Sequence, residues 1–329
     1  PQMSLAPIVS TLKRVFETPV LFLDNFIGKG LKTLIDEAEE QIILLENLRF
    51  HPSEEKNDPG FAAELASLGD AFVNDAFSVA HRAHASTDGI TKFLPSVAGK
   101  LLAKELDALE KALGNPEKPL VALVGGAKVS SKLNVLTNLV TKVDHLIIGG
   151  GMANTFLAAQ GVNVGASLCE HDLKETALNI LAVAEKSECE IHLPIDVRVA
   201  KEFKNNAKNT TCWVRSVLDD DMILDIGPLS TNSLCVILND CKTLIWNGPM
   251  GAFEIKPFDE GTSALAKAAA KLTQNGKLKT VAGGGDTIAA LANAGVVDMF
   301  SHISTAGGAF LEWMEGKDLP GVKVLEQGP

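Results

Sequence analysis

The 329-residue chain has few cysteines, no long apolar segment and no excess of positive charge. Its five cysteines include no Cys-x-x-Cys pair and no spacing typical of metal ligands. Because their number is odd, we expect no disulfide framework and a reduced, cytoplasmic compartment. No apolar run reaches the roughly 18 residues that span a bilayer. The N-terminal stretch also lacks the basic and apolar regions of a signal peptide, so we expect no membrane association.

The formal net charge of −11 argues against binding of nucleic acid, because such binding requires a basic surface. A phosphorylated small molecule stays compatible with this charge, since the field that binds it is local. The composition, 46% hydrophobic and 22% charged, is typical of globular proteins, and the length favours two domains.

Two common phosphate-binding motifs are absent. The P-loop pattern G-x-x-x-x-G-K-[ST] fails because none of the Gly-Lys pairs is followed by Ser or Thr. The dinucleotide pattern G-x-G-x-x-G fails at residues 149–154, where Asn154 holds the final position. The sequence therefore disfavours a P-loop enzyme and a nicotinamide-dependent oxidoreductase.

One pattern recurs along the second part of the chain: an apolar run that ends in glycine and leads into a helical pattern. Buried parallel strands appear as continuous apolar runs, with helices as the crossovers. The pattern predicts an open, doubly wound α/β sheet over about residues 115–310. Ligands bind such sheets beyond the carboxyl ends of the strands, where these glycines lie. The predicted strands are 119–124, 145–149, 243–246, 279–282 and 301–304.

The first part of the chain has a different organisation. Strands are predicted at 18–23, 41–48 and 70–75, with a helix at 61–69. Apolar residues at helical spacing over 96–119, followed by Gly114-Asn115-Pro116, predict a helix that joins two domains.

The stretch LVGGAKVSSK at 123–132 places Lys128 and Lys132 at a predicted helix start, four residues apart and so on one face. Two cations there oppose the helix dipole, and an anion between them would relieve the repulsion. The alternative is two solvated surface lysines. In GGGDT, Asp286 is predicted at a helix N-cap; it either caps the helix or holds Mg²⁺ on a nucleotide.

Two arginines of the first part, Arg49 in ENLRF and Arg82 in NDAFSVAHRAHAS, are predicted at strand ends. They would suit bidentate capture of a phosphate or carboxylate. The alternative for each is a surface ion pair. We predict structural roles for His81 and His84, because nothing in the sequence places a nucleophile beside them.

The motifs quoted above, together with GGGMANTFL, WNGPMGAFE and STAGGA, resemble those of phosphoglycerate kinases across nearly the whole chain. The resemblance implies reversible phosphoryl transfer, in glycolysis and gluconeogenesis, between 1,3-bisphosphoglycerate with ADP and 3-phosphoglycerate with MgATP, by a monomer. The matching blocks, in family order, are LLENLRFHPSEEKNDPGFA, NDAFSVAHRAHAS, GGAKVSSK, GGGMANTFL, WNGPMGAFE, VAGGGDT and STAGGA.

The resemblance also implies an α/β fold of two Rossmann-like domains, with parallel sheets flanked by helices. Residues 1–100 would form the phosphoglycerate-binding domain, 101–115 the joining helix and 116–310 the nucleotide-binding domain. The segment 311–329 would return toward the first domain.

The same resemblance implies roles for individual residues. Arg49 and Arg82 would bind phosphoglycerate. Lys132 would contact the transferring phosphate, and Gly307 and Gly308 would open a helix whose N–H groups face it. Asp286 would ligate Mg²⁺. The implied nucleotide-binding residues are Gly126, Ala127, Lys128, Lys132, Gly150 and Gly151 beside the adenine, Asn247, Pro249, Glu254 at the ribose, Gly284, Gly285, Asp286 and Thr287.

The sequence departs from the family pattern at three places. Ser78-Val79 replaces a common Gly-Thr, away from Arg82. Ala306 stands where the family often has a third glycine, which is tolerable if φ is negative. The Asp-Phe-Asn motif, a catalytic arginine and the His-x-Gly-Arg-Pro motif with which family members begin do not occur in the chain. We therefore expect an incomplete first domain and weak activity of the chain. The alternative function is a truncated nucleotide-binding relative without kinase activity.

Overall fold

A parallel β-sheet of six strands organises the larger part of the chain in the computed structural model, which describes residues 3–28 and 30–326. The described residues up to Ala103, together with those from Asp318, form one compact unit, and Lys104–Lys317 form a second.

Thirteen strands are found among the described residues. They are β1 (Val20–Leu23), β2 (Ile42–Leu45), β3 (Phe72–Asn74), β4 (Ser96–Ala98), β5 (Leu120–Val124), β6 (His145–Ile148), β7 (Glu190–His192), β8 (Asp196–Ala200), β9 (Asn209–Trp213), β10 (Met222–Ile226), β11 (Thr243–Asn247), β12 (Lys279–Gly283) and β13 (His302–Ser304).

Thirteen α-helices are found in the same part of the chain. They are α1 (Val9–Phe16), α2 (Leu31–Asp36), α3 (Pro52–Glu55), α4 (Pro59–Ala66), α5 (Lys100–Leu109), α6 (Leu133–Leu139), α7 (Gly150–Ala159), α8 (Lys174–Lys186), α9 (Pro228–Asp240), α10 (Glu260–Gln274), α11 (Gly285–Asn293), α12 (Gly307–Met314) and α13 (Pro320–Glu326). None of the helices in the described ranges is long and apolar enough to cross a bilayer.

The six-stranded sheet has the order β13-β12-β11-β5-β6-β7, and all its neighbouring strands are parallel. Five of these strands are those predicted from the apolar runs. The central strands β5 and β11 are buried along their whole length, which explains their lack of alternation. Trp246 on β11 lies in the main apolar core, packed among residues of α9, α10 and β12. The doubly wound α/β architecture of this unit is confirmed.

The second unit also contains an antiparallel sheet of three strands, in the order β10-β8-β9, which was not predicted from the sequence.

The structure also differs from the prediction in the segment that follows β11. The recurring pattern predicted a helix directly after this strand, but residues 248–259 form an irregular loop before α10 begins at Glu260. The loop contains Pro249 and Gly251, which do not favour a helix interior.

The first unit contains two parallel strand pairs, β1 with β2 and β3 with β4. The strands and the helix predicted here are confirmed within a few residues. The C-terminal segment joins this unit: the side chain of Asn74 donates to the carbonyl of Gly321 at 3.0 Å, and Gly321 N–H donates to the carbonyl of Ala80 at 2.8 Å. Residues 311–317, which were predicted to return toward the first domain as well, belong to the second unit.

The helix predicted over 96–119 is shorter than expected. Residues 96–98 pair with β3 as strand β4, and α5 begins at Lys100. A π-helical turn, Glu110–Gly114, follows α5 and ends at the predicted stop. Asp75 determines the start, because its Oδ1 accepts hydrogen bonds from the N–H groups of Leu101 and Leu102 at 2.7 and 2.9 Å. This carboxylate satisfies two of the helix's free N–H groups from outside the helix.

We expect Asp75→Ala to lower the free energy of unfolding by about 1–2 kcal/mol, because two N–H groups at the start of α5 lose their acceptor. Urea unfolding followed by circular dichroism measures the change. Asp70→Ala, which removes an exposed carboxylate nearby in sequence, is the matched control. Equal stability of the two variants would contradict the capping role.

Candidate active site

The carboxyl ends of three neighbouring strands meet closely in the second unit. Gly125 N–H donates to the carbonyl of Asn247 at 3.0 Å, and the Asn247 side chain donates to the carbonyl of Gly283 at 2.7 Å. A Cβ atom at Gly125 would lie 1.9 Å from the carbonyl oxygen of Pro249. The glycine that follows β5 is therefore required by the approach of a second loop.

Lys132 is held at this junction. Its Nζ donates to the carbonyl oxygens of Gly125 at 2.7 Å and Asn247 at 3.0 Å, and also to Oδ1 of Asn247. Burial lowers the pKa of Lys132 to about 8, although the carboxylate of Asp286 acts in the opposite direction. The side chain is therefore an ammonium that loses its proton unusually easily.

The expectation that Lys128 and Lys132 share one face of a helix is wrong. The helix α6 begins only at Leu133, with Lys132 at the N-cap, and residues 126–131 form a loop. Gly126 starts this loop with φ of 134°, a conformation that carries the chain out of the strand direction before the helix can form. Lys128 is exposed on the loop, whereas Lys132 turns into the strand ends.

The N-cap position predicted for Asp286 is also wrong. The helix α11 begins at Gly285, and Gly284, with φ of 97°, is the N-cap. The first turn is tied down by Thr287, whose hydroxyl donates to the carbonyl of Gly283 at 2.8 Å and accepts from Gly248 N–H at 2.7 Å. Asp286 is exposed, and within the described ranges its carboxylate makes no hydrogen bond.

A cavity of about 540 Å³ opens beside these strand ends, entirely within the second unit. Its first wall contains many of the predicted nucleotide-binding residues, and its second wall comes from β8, β10 and the loop after β11. The second wall is mainly apolar, with Val197, Met222, Ile223, Leu224 and Phe253. The predicted residues that line the cavity are Gly126, Ala127, Gly150, Gly151, Pro249, Glu254 and Asp286.

Gly150 begins α7 with φ of 66°, and a Cβ atom there would lie 2.5 Å from the carbonyl oxygen of Gly126. Of the other predicted residues, Lys132, Asn247 and Thr287 form the hydrogen-bonded layer at the strand ends, next to Gly284. Gly285 opens α11, and Lys128 lies on the exposed loop. These six residues, unlike Gly150, do not line the cavity.

Gly307 and Gly308 are the exposed first residues of α12, as predicted from the sequence. The N-cap of this helix is Ala306, with φ of −111°, so its methyl group causes no backbone strain. Neither glycine lines the cavity.

The sequence analysis missed Asp225, which lies on β10 and lines the cavity with only 2% of its surface exposed. Its two oxygens accept from Gly261 N–H at 2.8 Å and Ile226 N–H at 2.9 Å. Burial raises its pKa to about 8 in spite of these hydrogen bonds. A signal was present: MILDI is an apolar run followed by Gly227 and the helix α9, the same pattern as the other strands.

In the first unit, Arg49 lies in a short 3₁₀ turn, Leu48–Phe50, that follows β2. Arg82 is exposed and does not lie at a strand end, because β3 ends at Asn74 and a 3₁₀ turn, Phe77–Val79, lies between them. Burial lowers the pKa of His84; Glu54 opposes this shift, and both arginines reinforce it. Both arginines are therefore close enough to act on one imidazole.

A second cavity, of about 390 Å³, lies in the first unit and is lined in part by Arg49, Glu54 and His84. Glu54 is buried, and its carboxylate accepts hydrogen bonds from the backbone and hydroxyl of Ser86. Glu54 therefore holds the loop around Ser86, and His84 Nδ1 lies 3.7 Å from its carboxylate. The structural role of His84 stays a prediction.

The family of the chain follows from its similarity to known proteins. A family model described as phosphoglycerate kinase matches residues 1–317. The chain belongs to the phosphoglycerate kinase family. The phosphoglycerate kinase of Zymomonas mobilis is 62% identical over 327 residues, which cover 99% of this chain and 82% of the relative. That of Rhizorhabdus wittichii is 59% identical with the same coverage.

Solved phosphoglycerate kinase structures are similar as well. The Coxiella burnetii structure has a TM-score of 0.91 and 43% identity, with 98% of this chain and 81% of that chain covered. The structure from Pyrococcus horikoshii OT3 has a TM-score of 0.78 and 28% identity. The parallel sheets flanked by helices in this chain are thus those of phosphoglycerate kinases.

The resemblance found in the sequence is confirmed. Phosphoglycerate kinases are phosphotransferases of glycolysis with a carboxyl group as acceptor, and their substrates are a nucleotide and a phosphoglycerate. The expectation of an incomplete first domain, and the alternative of a truncated relative without kinase activity, gain no support from these matches. The relatives that match 99% of this chain are named phosphoglycerate kinases.

The raised pKa of Asp225 predicts a pH dependence of stability. Its pKa is about 8 in the folded chain, compared with an ordinary value of 3.8. Between these values the folded chain holds a proton that the unfolded chain has lost, so the free energy of unfolding falls as the pH rises toward 8 and levels off above it. Asp225→Asn cannot titrate, and we expect its Tm to fall less than that of the wild type between pH 6 and about pH 8.5.

Calorimetric unfolding at several pH values measures the Tm of both proteins. The slope against pH, and not the absolute Tm, is the informative quantity, because the amide loses one acceptor oxygen. Asp298→Asn, at an exposed carboxylate, serves as the control and keeps the wild-type slope. An unchanged slope in Asp225→Asn would show that Asp225 is ionised in the folded chain.

Proposed function

We propose that the second unit binds ATP or ADP in the 540 Å³ cavity and that the phosphates lie toward Lys132 and Asp286. The observation that carries this proposal is the position of the Lys132 ammonium. It is held by carbonyl oxygens at the ends of β5 and β11, and the exposed carboxylate of Asp286 acts on it electrostatically.

The apolar part of the cavity suits a purine base, because transfer of its rings from water to an apolar surface is favourable. Gly150 and Gly151, at the start of α7, present backbone without side chains and would border the adenine. Glu254 lines the same cavity and is proposed to accept a hydrogen bond from a ribose hydroxyl. Gly126, Ala127 and Pro249 would complete the contacts along the nucleotide. Exposed Lys128 would contribute charge from outside the cavity.

Phosphoryl transfer depends mainly on positioning and on positive charge spread around the transferring group. Lys132 is proposed to contact that group, with Asn247 orienting its ammonium through Oδ1. The start of α11, with Gly284, Gly285 and Thr287, offers the positive end of a helix dipole to the phosphates. Gly307 and Gly308, at the start of α12, are proposed to contribute in the same way.

Asp286 is proposed to hold Mg²⁺ with the nucleotide. Mg²⁺ in such sites keeps several waters and binds one or two carboxylates together with substrate phosphates. The Asp286 carboxylate fits this role, because it lines the cavity, is exposed, and makes no hydrogen bond within the described ranges. The ion would neutralise phosphate charge that Lys132 alone does not balance.

The first unit is proposed to bind the phosphoglycerate. Arg49 and Arg82 are exposed and both act on His84, so their charges reach the same region. Guanidinium groups bind phosphate and carboxylate in bidentate fashion, and 3-phosphoglycerate carries both groups. We also propose that the protein works as a cytoplasmic monomer and does not bind nucleic acid, in keeping with its charge of −11.

We expect Lys132→Ala to lower kcat by about 10²–10³-fold, because the transferring phosphate loses a positioned donor. The dissociation constant of ADP should change by less than about tenfold. Coupled assays give kcat, and calorimetric titration gives the ADP affinity. Lys128→Ala, four residues earlier and fully outside the hydrogen-bonded layer, is the matched control and should keep kcat within a few fold. Equal losses of kcat and ADP affinity in Lys132→Ala would mean that Lys132 only binds.

We expect Asp286→Asn to weaken binding of MgADP by about tenfold or more while leaving metal-free ADP binding nearly unchanged, because the amide is a poor Mg²⁺ ligand. Calorimetric titrations with Mg²⁺ and with excess chelator separate the two cases. Asp298→Asn, on the turn after α11, is a control that should show neither change. Equal effects on both titrations would assign Asp286 to the nucleotide itself.

A further inference from the structure

His145, Glu190 and His192 lie together at the opposite end of β6 from the nucleotide cavity. His145 begins β6, while Glu190 and His192 begin and end the neighbouring edge strand β7. Glu190 pairs with His145 in the parallel register, and His192 follows two residues later. Paired residues and residues two apart point to the same face of a sheet, so the three side chains share one face.

The donor atoms of these side chains form a compact triangle. His145 Nδ1 lies 3.1 Å from His192 Nε2 and 3.5 Å from Glu190 Oε2, and His192 Nε2 lies 3.8 Å from Glu190 Oε2. The circle through the three atoms has a radius of about 2.0 Å, which equals the Zn–N and Zn–O bond lengths of roughly 2.0–2.2 Å. An ion near the centre would lie at normal bond lengths from all three atoms.

We propose that His145, Glu190 and His192 form a binding site for a divalent transition-metal ion such as Zn²⁺. Among residues 3–28 and 30–326, they are the one group of three such side chains whose donor atoms lie within 4.8 Å of one another. Two imidazoles with one carboxylate suit Zn²⁺, Cu²⁺ or Ni²⁺ and do not suit Mg²⁺, which prefers oxygen ligands. The site is therefore chemically distinct from that proposed at Asp286.

His145 Nδ1 and His192 Nε2 face each other, and a proton between them is bonded to only one of the two nitrogens. Each neutral imidazole has one acceptor and one donor nitrogen, so one ring must place its proton between the two. A metal ion uses the lone pairs of both nitrogens at once. Asp144 stands beside His145, but its oxygens accept from the Leu120 N–H at 2.6 Å and from Lys118 Nζ at 2.9 Å. Both Asp144 oxygens are therefore engaged elsewhere, and we expect water to complete the coordination of a bound ion.

The exposure of the three side chains shows how an ion could reach the proposed site. The Glu190 side chain is 68% exposed, whereas those of His145 and His192 are 25% and 14% exposed. An ion can thus enter from the carboxylate side and reach two half-buried imidazoles. Because the ligands come from β6 and the edge strand β7, the bound ion would tie that edge to the sheet and stabilise the folded chain.

The test uses chelator-treated protein without a histidine tag. Titration with Co²⁺, followed by its visible absorption, reports four-coordinate binding, and competition with Zn²⁺ gives the affinity. We expect one equivalent of metal, and a loss of affinity of at least about tenfold in His145→Gln and His192→Gln. At Zn²⁺ concentrations near 100 times Kd, the wild-type Tm should rise by about 5–10 °C, and this rise should be absent in the double variant.

His171→Gln is the matched control, because His171 Nδ1 lies 3.6 Å from Cys169 Sγ and forms the competing nitrogen–sulfur pair. This variant should keep the full stoichiometry and the Tm rise. Kinase turnover of the His145→Gln and His192→Gln proteins, assayed without added transition metal, should match the wild type and so shows that they are folded. Undiminished Co²⁺ binding in the double variant, no four-coordinate absorption in the wild type, or loss of binding in His171→Gln would each overturn the proposal.

Discussion

The candidate site depends on how closely the chain segments after β5 and β11 approach each other. A Cβ atom at Gly125 would lie 1.9 Å from the Pro249 carbonyl oxygen, and one at Gly248 would lie 2.2 Å from the Gly125 carbonyl oxygen. Only this approach brings the Gly125 and Asn247 carbonyl oxygens together as acceptors for one ammonium group. The position of Lys132 is thus a consequence of backbone packing, and Asn247 extends the same network to β12.

Burial acts on two groups of opposite charge around the cavity, and in both it favours the neutral form. It lowers the pKa of Lys132 and raises that of Asp225, in each case to about 8. A neutral Asp225 adds no negative charge to a cavity proposed for an anionic nucleotide. Asp286 differs because it is exposed, so its carboxylate remains available for a cation. Asp225 and Asp286, which both line the cavity, are thus separated in role by their solvation.

The two ends of the six-stranded sheet differ in chemistry for a simple reason. At the carboxyl ends, glycines expose backbone N–H groups and helix starts, which suit anions. Where β6 begins, His145 stands next to two side chains of the short edge strand β7 on one face of the sheet, which suits shared ligation of a cation. The nucleotide and the proposed transition metal would therefore not compete for the same groups.

Five strands of the main sheet, the helices that follow most of them and the family were all predictable from the sequence. Apolar runs that end in glycine are local features, and they reflect burial on both faces of a parallel sheet. The prediction failed where local patterns compete with tertiary contacts. Residues 96–98 continue a helical pattern but pair with β3. Lys128 and Lys132 fit one helix face, but Gly126 turns the chain and delays the helix to Leu133.

The sequence by itself thus determined the strand–glycine–helix units and the residue types available for phosphate chemistry, because both depend on short stretches of chain. Only the tertiary structure decided which of these residues meet. Asp225 became part of the cavity because β10 forms its second wall, although β10 and β5 belong to different sheets. His145 and His192 came within 3.1 Å because two strands far apart in sequence are neighbours in register. Distances between residues remote in the chain are set by packing, and no local pattern encodes them.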